Sequence, residues 1–466
     1  MKRSLLVSTY EMGRQPFGIA SAAAWLGAAG WDVTCMDVAK EKLPEGILEA
    51  PELIGFHLPM HTATRLAAPI IATARRVNPA ARICAFGLYA PLNAEWLRSL
   101  GADAVFGGEF EDDLVAFAGH VRSTQNSQNT QSYPFSAGSA GSAFNRRDVP
   151  LPKIHFLVPD RRGLPALSKY ATLQMPDGGR RLVGYTEASR GCRHLCRHCP
   201  VVPIYNGEFR VVQQEVVLAD VDAQIAAGAR HITFGDPDFF NGPTHAMKIV
   251  AALHAKHPAV SYDVTIKVEH LLDHRDLVPR LADTGCAFVT SAIESVDDRV
   301  LALFDKGHTR EDFADAVAVC RASGVTLVPT FVAFHPWLTR ASYCDLLDTI
   351  DRLDLVDHVA PIQLAIRLLL PNGSRLLALD EMRAHLGPFD PETLAYRWTH
   401  PDPGVDALQR DVMAIVGTRL TANRRAVFDE VRALACERAG IGRPTADARP
   451  ARDRATVPYL NEPWYC

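Results

Sequence analysis

Cys192, Cys196 and Cys199 stand in a C-x3-C-x2-C spacing inside Gly191-Cys-Arg-His-Leu-Cys-Arg-His-Cys-Pro200. Thiolates are soft ligands that suit iron–sulfur clusters and zinc. Three within eight residues can close on one inorganic centre without help from distant parts of the chain. A four-iron cluster usually takes four protein ligands, so three leave one iron open to a substrate or cosubstrate. The alternative is a structural zinc knot in which His194 or His198 completes a Cys3His set. Structural zinc usually draws its ligands as two separated pairs, and no second pair lies near this one.

A short β-prone run, Leu182 to Ala188, leads into the cysteines through Ser189-Arg190-Gly191. Cysteines at this spacing after a strand resemble the radical S-adenosylmethionine (SAM) superfamily. The resemblance implies that Cys192, Cys196 and Cys199 each bind one iron of a [4Fe-4S] cluster, while the amino and carboxylate groups of SAM chelate the fourth. It further implies an electron donor such as flavodoxin or ferredoxin, whose electron breaks a carbon–sulfur bond and leaves a carbon radical. The family usually has an aromatic residue before the third cysteine; His198, also planar, takes that place.

Further candidates stand at predicted strand ends, where open parallel α/β folds gather ligand groups. His231 to Phe234 reads as a strand that ends in Gly235-Asp236-Pro237-Asp238. By the resemblance Gly235 and Asp236 receive the SAM amino group, with Asp238 also pointing inward; the plainer reading is an Asx turn. Ala287 to Ser295, followed by Lys306-Gly-His-Thr309, resembles radical enzymes that carry cobalamin or methylthiolation modules. That places Ser291 and Glu294 near the ribose or carboxylate of SAM, against a carboxylate that merely caps the next helix. Arg367 is a cation in an apolar run, where an unpaired charge is costly. It is expected to pair with a cosubstrate carboxylate or with a core acid. Lys267 and His270 are further rim candidates, and His335-Pro-Trp337 replaces the glycine-rich turn common in relatives.

The elements that would position these residues alternate. Ser4–Ser8, Trp31–Asp37, Leu53–His57 and Arg82–Phe86 read as strands, with helices over Ile19–Gly30 and Thr64–Val77. Such alternation predicts a parallel sheet covered on both faces. The expected class is α/β: a doubly wound, Rossmann-like domain over 1–121, a flexible linker over 122–148, a partial (β/α)6 barrel over 149–372 and a mostly helical extension over 373–466. The linker rests on a polar, small-residue tract, Ser123 to Ser142, that cannot bury a core. The first domain resembles the cobalamin-binding domain that precedes many radical cores, most clearly in Gly87-Leu-Tyr and Gly101 to Glu111. The D-x-H-x-x-G loop of cobalt-ligating members corresponds to Ser8-Thr-Tyr-Glu-Met-Gly13, which has no histidine. Cobalamin is thus expected without a protein ligand to cobalt, if at all; Gly108 and Glu109 are expected to shape a loop.

With 48% hydrophobic and 22% charged residues the chain reads as an ordinary globular protein, and a net charge of −4 gives no basic excess for nucleic acid. No apolar run approaches the roughly 18 residues of a membrane span, and the Met-Lys-Arg start runs into a strand. Ten cysteines, scattered apart from the trio, fit a reducing cytoplasm. The chain stops at Asn461-Glu-Pro-Trp-Tyr-Cys466. Together with Met60-His-Thr-Ala-Thr64 and Thr233 to Phe239, this resembles the CUAEP/CCAEP-tail radical SAM proteins. One implication is a tail cut short at a selenocysteine codon. Another is a catalytic Cys466 that holds a thiophilic substrate, as in transfer of the 3-amino-3-carboxypropyl group of SAM to arsenite in arsinothricin biosynthesis; an incidental terminal thiol is the alternative. Three functions therefore compete: a radical enzyme acting on a small molecule, a cobalamin-dependent radical methyltransferase, and a non-catalytic metal or redox sensor.

Overall fold

The computed structural model describes residues 1–119, 154–419, 422–442 and 457–461. The linker expected over 122–148 and Cys466 lie outside the described residues.

Five parallel strands open the chain: β1 (Arg3–Ser8), β2 (Asp32–Asp37), β3 (Leu53–His57), β4 (Arg82–Phe86) and β5 (Ala104–Phe106), in the order β2-β1-β3-β4-β5. Alternate side chains of β1 serve opposite faces, as a two-residue period requires. Leu5 and Val7 pack with Ala67, Ile71 and Ala74 of the helix His61–Val77, whereas Leu6 packs with Ile19, Ala22 and Leu26 of the helix Phe17–Ala28. Both faces are therefore covered, and the order reverses between β1 and β3, where ligands of doubly wound sheets bind.

The second sheet contains β6 (Thr172–Gln174), β7 (Arg180–Thr186), β10 (His231–Phe234), β11 (Ser261–Thr265), β12 (Cys286–Glu294) and β13 (Thr326–Phe331). The short pair β8 (Ser189–Gly191) and β9 (Phe209–Val211) and the ribbon β14 (Leu386–Asp390) and β15 (Ala395–Trp398) stand apart from it. A terminal strand, β16 (Tyr459–Leu460), pairs antiparallel with β6, giving the order β13-β12-β11-β10-β7-β6-β16. The run β7-β10-β11-β12-β13 is parallel and forms the curled half-barrel expected from the sequence.

At the sixth position Pro361–Leu364 is a 3-10 turn, and only Phe334 and Arg367 form a parallel bridge. Pro361 has no N–H to give to a ladder, and the Gln363 side chain accepts the Phe331 N–H at 2.9 Å in place of a backbone carbonyl. The same departure corrects the expectation of a cosubstrate carboxylate at Arg367. Its guanidinium pairs with Asp406 at 2.6 Å, donates to the Trp398 carbonyl and lies 3.5 Å from the Trp398 ring. Asp406 belongs to the helix Pro403–Gly417, which with Arg424–Ala439 buries Leu408, Val412, Phe428 and Val431 in the apolar cluster shared with the barrel. No helix among the described residues is long and apolar enough to cross a membrane.

The two sheets are locked through residues next to the cysteine loop. Arg190, two positions before Cys192, reaches Glu111 at 2.6 Å and Glu187 at 2.9 Å, with Glu109 at 4.0 Å. Its guanidinium lies 4.8 Å from the Phe156 ring centre. Arg161 adds a second tie, donating to Asp220, to Gln15 and to the Tyr185 carbonyl.

Candidate functional site

The cysteine loop follows β7 and β8 at the carboxyl end of the half-barrel. Gly191 has φ +76°, and a Cβ there would stand 2.4 Å from the Tyr205 ring, so the turn demands glycine. Asn241, beyond β10, donates to the Gly191 carbonyl at 3.3 Å and accepts from the Arg193 N–H at 3.2 Å. On the far side the Arg197 N–H donates to the Phe304 carbonyl at 2.9 Å, and Ser374 Oγ donates to the Arg197 carbonyl. The loop is thus pinned from three elements, and none of its cysteines forms a disulfide. Burial pushes the Cys192 and Cys199 thiols up to about 11 and about 12. Without a bound cation they would stay protonated at neutral pH.

Single-ion zinc requires thiolate sulfurs about 3.8 Å apart, given a Zn–S bond near 2.3 Å. Among the described residues one His/Cys/Asp/Glu set has all its donor atoms within 4.8 Å of one another, and it is His194, Asp238 and His270. The three thiols are not so gathered. Of the two histidines that would complete a Cys3His site, His198 Nε2 meets Glu294 Oε1 at 3.0 Å, and His194 is turned toward Asp238 and Glu269, each at 3.5 Å. A wider inorganic centre with three protein ligands fits this donor set.

Glu294 ends β12 at φ +70°, after a register shift between Ala292 and Glu294. A bulge there re-aims the side chain, which meets His198 and, at 3.7 Å, Lys306 Nζ. Burial opposes its ionisation most strongly, but Lys306 and His198 outweigh it and hold the carboxyl at about 2. Because the folded value lies below that of the free side chain, the stabilisation is fully present above about pH 4.5 and is lost as pH falls toward 2; it amounts to roughly 2–3 kcal/mol. Urea unfolding of the cluster-free chain and of its Glu294→Gln variant should show a gap that narrows across that window. A gap constant from pH 6 to 3 would contradict the pairing.

The other expected residues divide. Asp236 is 2% exposed and turned to the neighbouring β7–β8 junction, accepting from the Ala188 N–H at 3.0 Å and from Ser189 Oγ at 2.5 Å. Burial raises its carboxyl to about 7. Its oxygens are therefore spent inside the fold instead of awaiting an amine. Gly235 has the Tyr185 hydroxyl where a Cβ would be, 1.8 Å away, so that ring covers its backbone. Asp238 lies with the two histidines. Ser291 is fully buried and its Oγ has no hydrogen-bond partner among the described residues. The same is true of both His308 ring nitrogens, His335 Nδ1 and Trp337 Nε1, all beyond the carboxyl ends of β12 and β13. Burial lowers His308 to about 4 and His335 to about 3, so both rings are neutral. His198, Phe304, His335 and Trp337 pack as one aromatic wall, with ring centres 4.7–6.1 Å apart. These unsatisfied donors and acceptors suit a polar ligand such as SAM. Lys306 and Asn241 escaped the sequence reading; the signal for Lys306 was its place in the quoted Lys-Gly-His-Thr motif.

The Radical SAM superfamily profile matches residues 186–353. The chain is 24% identical over 184 residues to a tRNA-2-methylthio-N(6)-dimethylallyladenosine synthase of Moorella thermoacetica, covering 35% of this chain and 38% of that protein. It is 25% identical over 179 residues to a putative methylthiotransferase of Methanocaldococcus jannaschii, covering 37% and 40%. The matches thus span about two fifths of those relatives. Among solved structures, the cobalamin-dependent SAM radical enzyme OxsB, with aqua-cobalamin and SAM bound, aligns with a TM-score of 0.69 at 14% identity, over 93% of this chain and 72% of that one. The radical SAM methyltransferase TsrM from Kitasatospora setae aligns at 0.64 and 16% identity, over 98% and 93%. At these identities the likeness is one of fold. With a pinned trio of thiols at the mouth of a half-barrel, residues 186–353 match the radical SAM superfamily, whose members use a [4Fe-4S] cluster and SAM.

Proposed function

We propose that this chain holds a [4Fe-4S] cluster on Cys192, Cys196 and Cys199, binds SAM at the carboxyl ends of β12 and β13, and transfers a SAM-derived group to, or abstracts hydrogen from, a small molecule. The observation that carries this is the loop of three thiols, pinned from three elements at the mouth of the half-barrel. When bound, cluster and cosubstrate supply one-electron cleavage of a carbon–sulfur bond. Around them Glu294, ionised and balanced by Lys306, offers a fixed anion for a ribose hydroxyl or an ammonium group. Ser291, His308, His335 and Trp337 offer neutral polar contacts. The aromatic wall excludes water, which protects a carbon radical from quenching.

Anaerobic reconstitution and reduction with dithionite should give SAM-dependent formation of methionine and 5′-deoxyadenosine, or of methylthioadenosine if the aminocarboxypropyl group leaves. Absence of all three with a full cluster would refute the reading. Transfer to arsenite rests on the tail resemblance alone, and its residue, Cys466, lies outside the described residues. Cobalamin is a second reading, favoured by the fold likeness across both domains. The imidazole at the β1/β3 edge is His57, whose Nδ1 meets Glu11 at 2.7 Å and whose Nε2 edge packs on Gly18; no step is assigned to a corrinoid. Corrinoid absorbance in the purified protein would revive the methyltransferase.

A further inference from the structure

We propose that His194, Asp238 and His270 form a separate divalent-metal site beside the cysteine loop, suited to zinc. His194 Nε2, Asp238 Oδ2 and His270 Nδ1 come from three elements: the cysteine loop, the turn after β10 and the helix Val268–Asp273 after β11. All three atoms are shielded from solvent, and among the described residues none has a hydrogen-bond partner outside the trio. They nevertheless converge, with His270 Nδ1 2.8 Å and His194 Nε2 3.5 Å from Asp238 Oδ2. Tetrahedral nitrogen and oxygen ligands at zinc distances are about 3.3 Å apart, so these separations bracket the value a bound ion imposes. The carboxylate's second oxygen is already fixed, accepting the Phe240 N–H at 3.0 Å, which leaves Oδ2 as the free donor.

Two imidazoles and a carboxylate make a borderline-soft set that favours zinc and similar first-row cations over magnesium or calcium. Three protein ligands leave a position for water or a substrate donor. The partner that would orient His194 is also present: Glu269 Oε2 lies 3.5 Å from Nδ1, the position from which a metal-bound imidazole usually donates to a carboxylate. Lys267 Nζ stands 3.1 Å from both His194 Nδ1 and Glu269 Oε2. In the metal-bound form Nδ1 carries the proton toward Glu269, and Lys267 keeps only the carboxylate.

The site is independent of the cluster thiols, and the test separates the two. Full-length protein, reconstituted anaerobically with iron and sulfide and then exposed to Co2+, should hold about one cobalt per chain in addition to iron, with a tetrahedral visible spectrum lacking thiolate-to-cobalt charge transfer. His270→Gln should lose the cobalt and keep the iron, while Cys196→Ala should lose the iron and keep the cobalt. No cobalt in the wild type, cobalt retained by His270→Gln, or a spectrum showing cobalt–thiolate bonds would overturn the site. Should His270→Gln lose iron as well, the wild-type spectrum alone decides between nitrogen–oxygen and thiolate ligation.

Discussion

Cys196→Ala is expected to purify with less than about one iron per chain and to lose SAM cleavage to background, the largest activity effect that any single substitution here should produce. The thiol is 7% exposed and sits in the turn where the Cys199 N–H donates to the Cys196 carbonyl at 3.2 Å. A methyl group fits that turn, so the fold should persist while one of three metal ligands is gone. With Cys192 and Cys199 alone, a four-iron centre would have two irons without protein ligands. Cys320→Ala supplies the control: that thiol is also buried, but on the outer helix Arg310–Ala322, and burial lifts it to about 12. It should keep its iron and its turnover. Iron analysis and product formation measured on both variants decide the matter. Full iron with undiminished turnover in Cys196→Ala would remove the cluster from the mechanism.

Much of this site was readable along the chain because its parts are local. Thiols at C-x3-C-x2-C spacing, an acidic residue closing the strand Cys286–Glu294, and the switch from two-residue to helical periodicity all lie within short windows. What escaped depends on convergence. Asp238 and His270 were each singled out, yet nothing in a window of ten residues says that they meet His194, which lies 44 positions upstream of the first and 76 upstream of the second. Asp236 and Asp238 look equivalent in Gly-Asp-Pro-Asp, but one turns back to Ser189 and the other to the histidines. Pro361 to Leu370 carries a strand's apolar pattern and fails as a ladder because a proline begins it and a glutamine side chain takes the neighbouring N–H. Arg367 takes the second of its two expected partners, an acid of the fold, and through Asp406 holds the C-terminal helices.

Arg190→Met should cost about 3–5 kcal/mol of stability, the penalty for leaving buried charge without its partner. Glu111 is fully buried, and its Oε1 receives both Arg190 Nη1 at 2.6 Å and Ser21 Oγ at 2.9 Å. Burial already raises Glu109 and Glu187 above the ordinary carboxylate range, with Arg190 the main force opposing it. Methionine replaces the aliphatic stem but withdraws the guanidinium that lies over the Phe17, Phe110 and Phe156 rings. The carboxylates then rise further. A raised folded-state value means stability lost as pH climbs from the free carboxyl value, near 4.5, through the raised one. The variant's deficit should therefore be larger at pH 8 than at pH 5.5, where it regains stability by taking up protons. Arg162→Ala is the comparison: that side chain is 90% exposed and pairs with Asp160 at the surface, so its loss should shift the unfolding midpoint little at either pH. Since Arg190 sits two residues before Cys192 and its partner Glu111 opens the helix Glu111–Gly119 that follows the first sheet, the deficit should extend to the cluster, with faster iron loss under chelator in Arg190→Met than in Arg162→Ala. Equal midpoints and equal chelation rates for the two variants would mean that the first domain does not brace the thiol loop. If the rates differ as expected, the N-terminal sheet acts as a scaffold for the radical site whether or not it carries a ligand of its own.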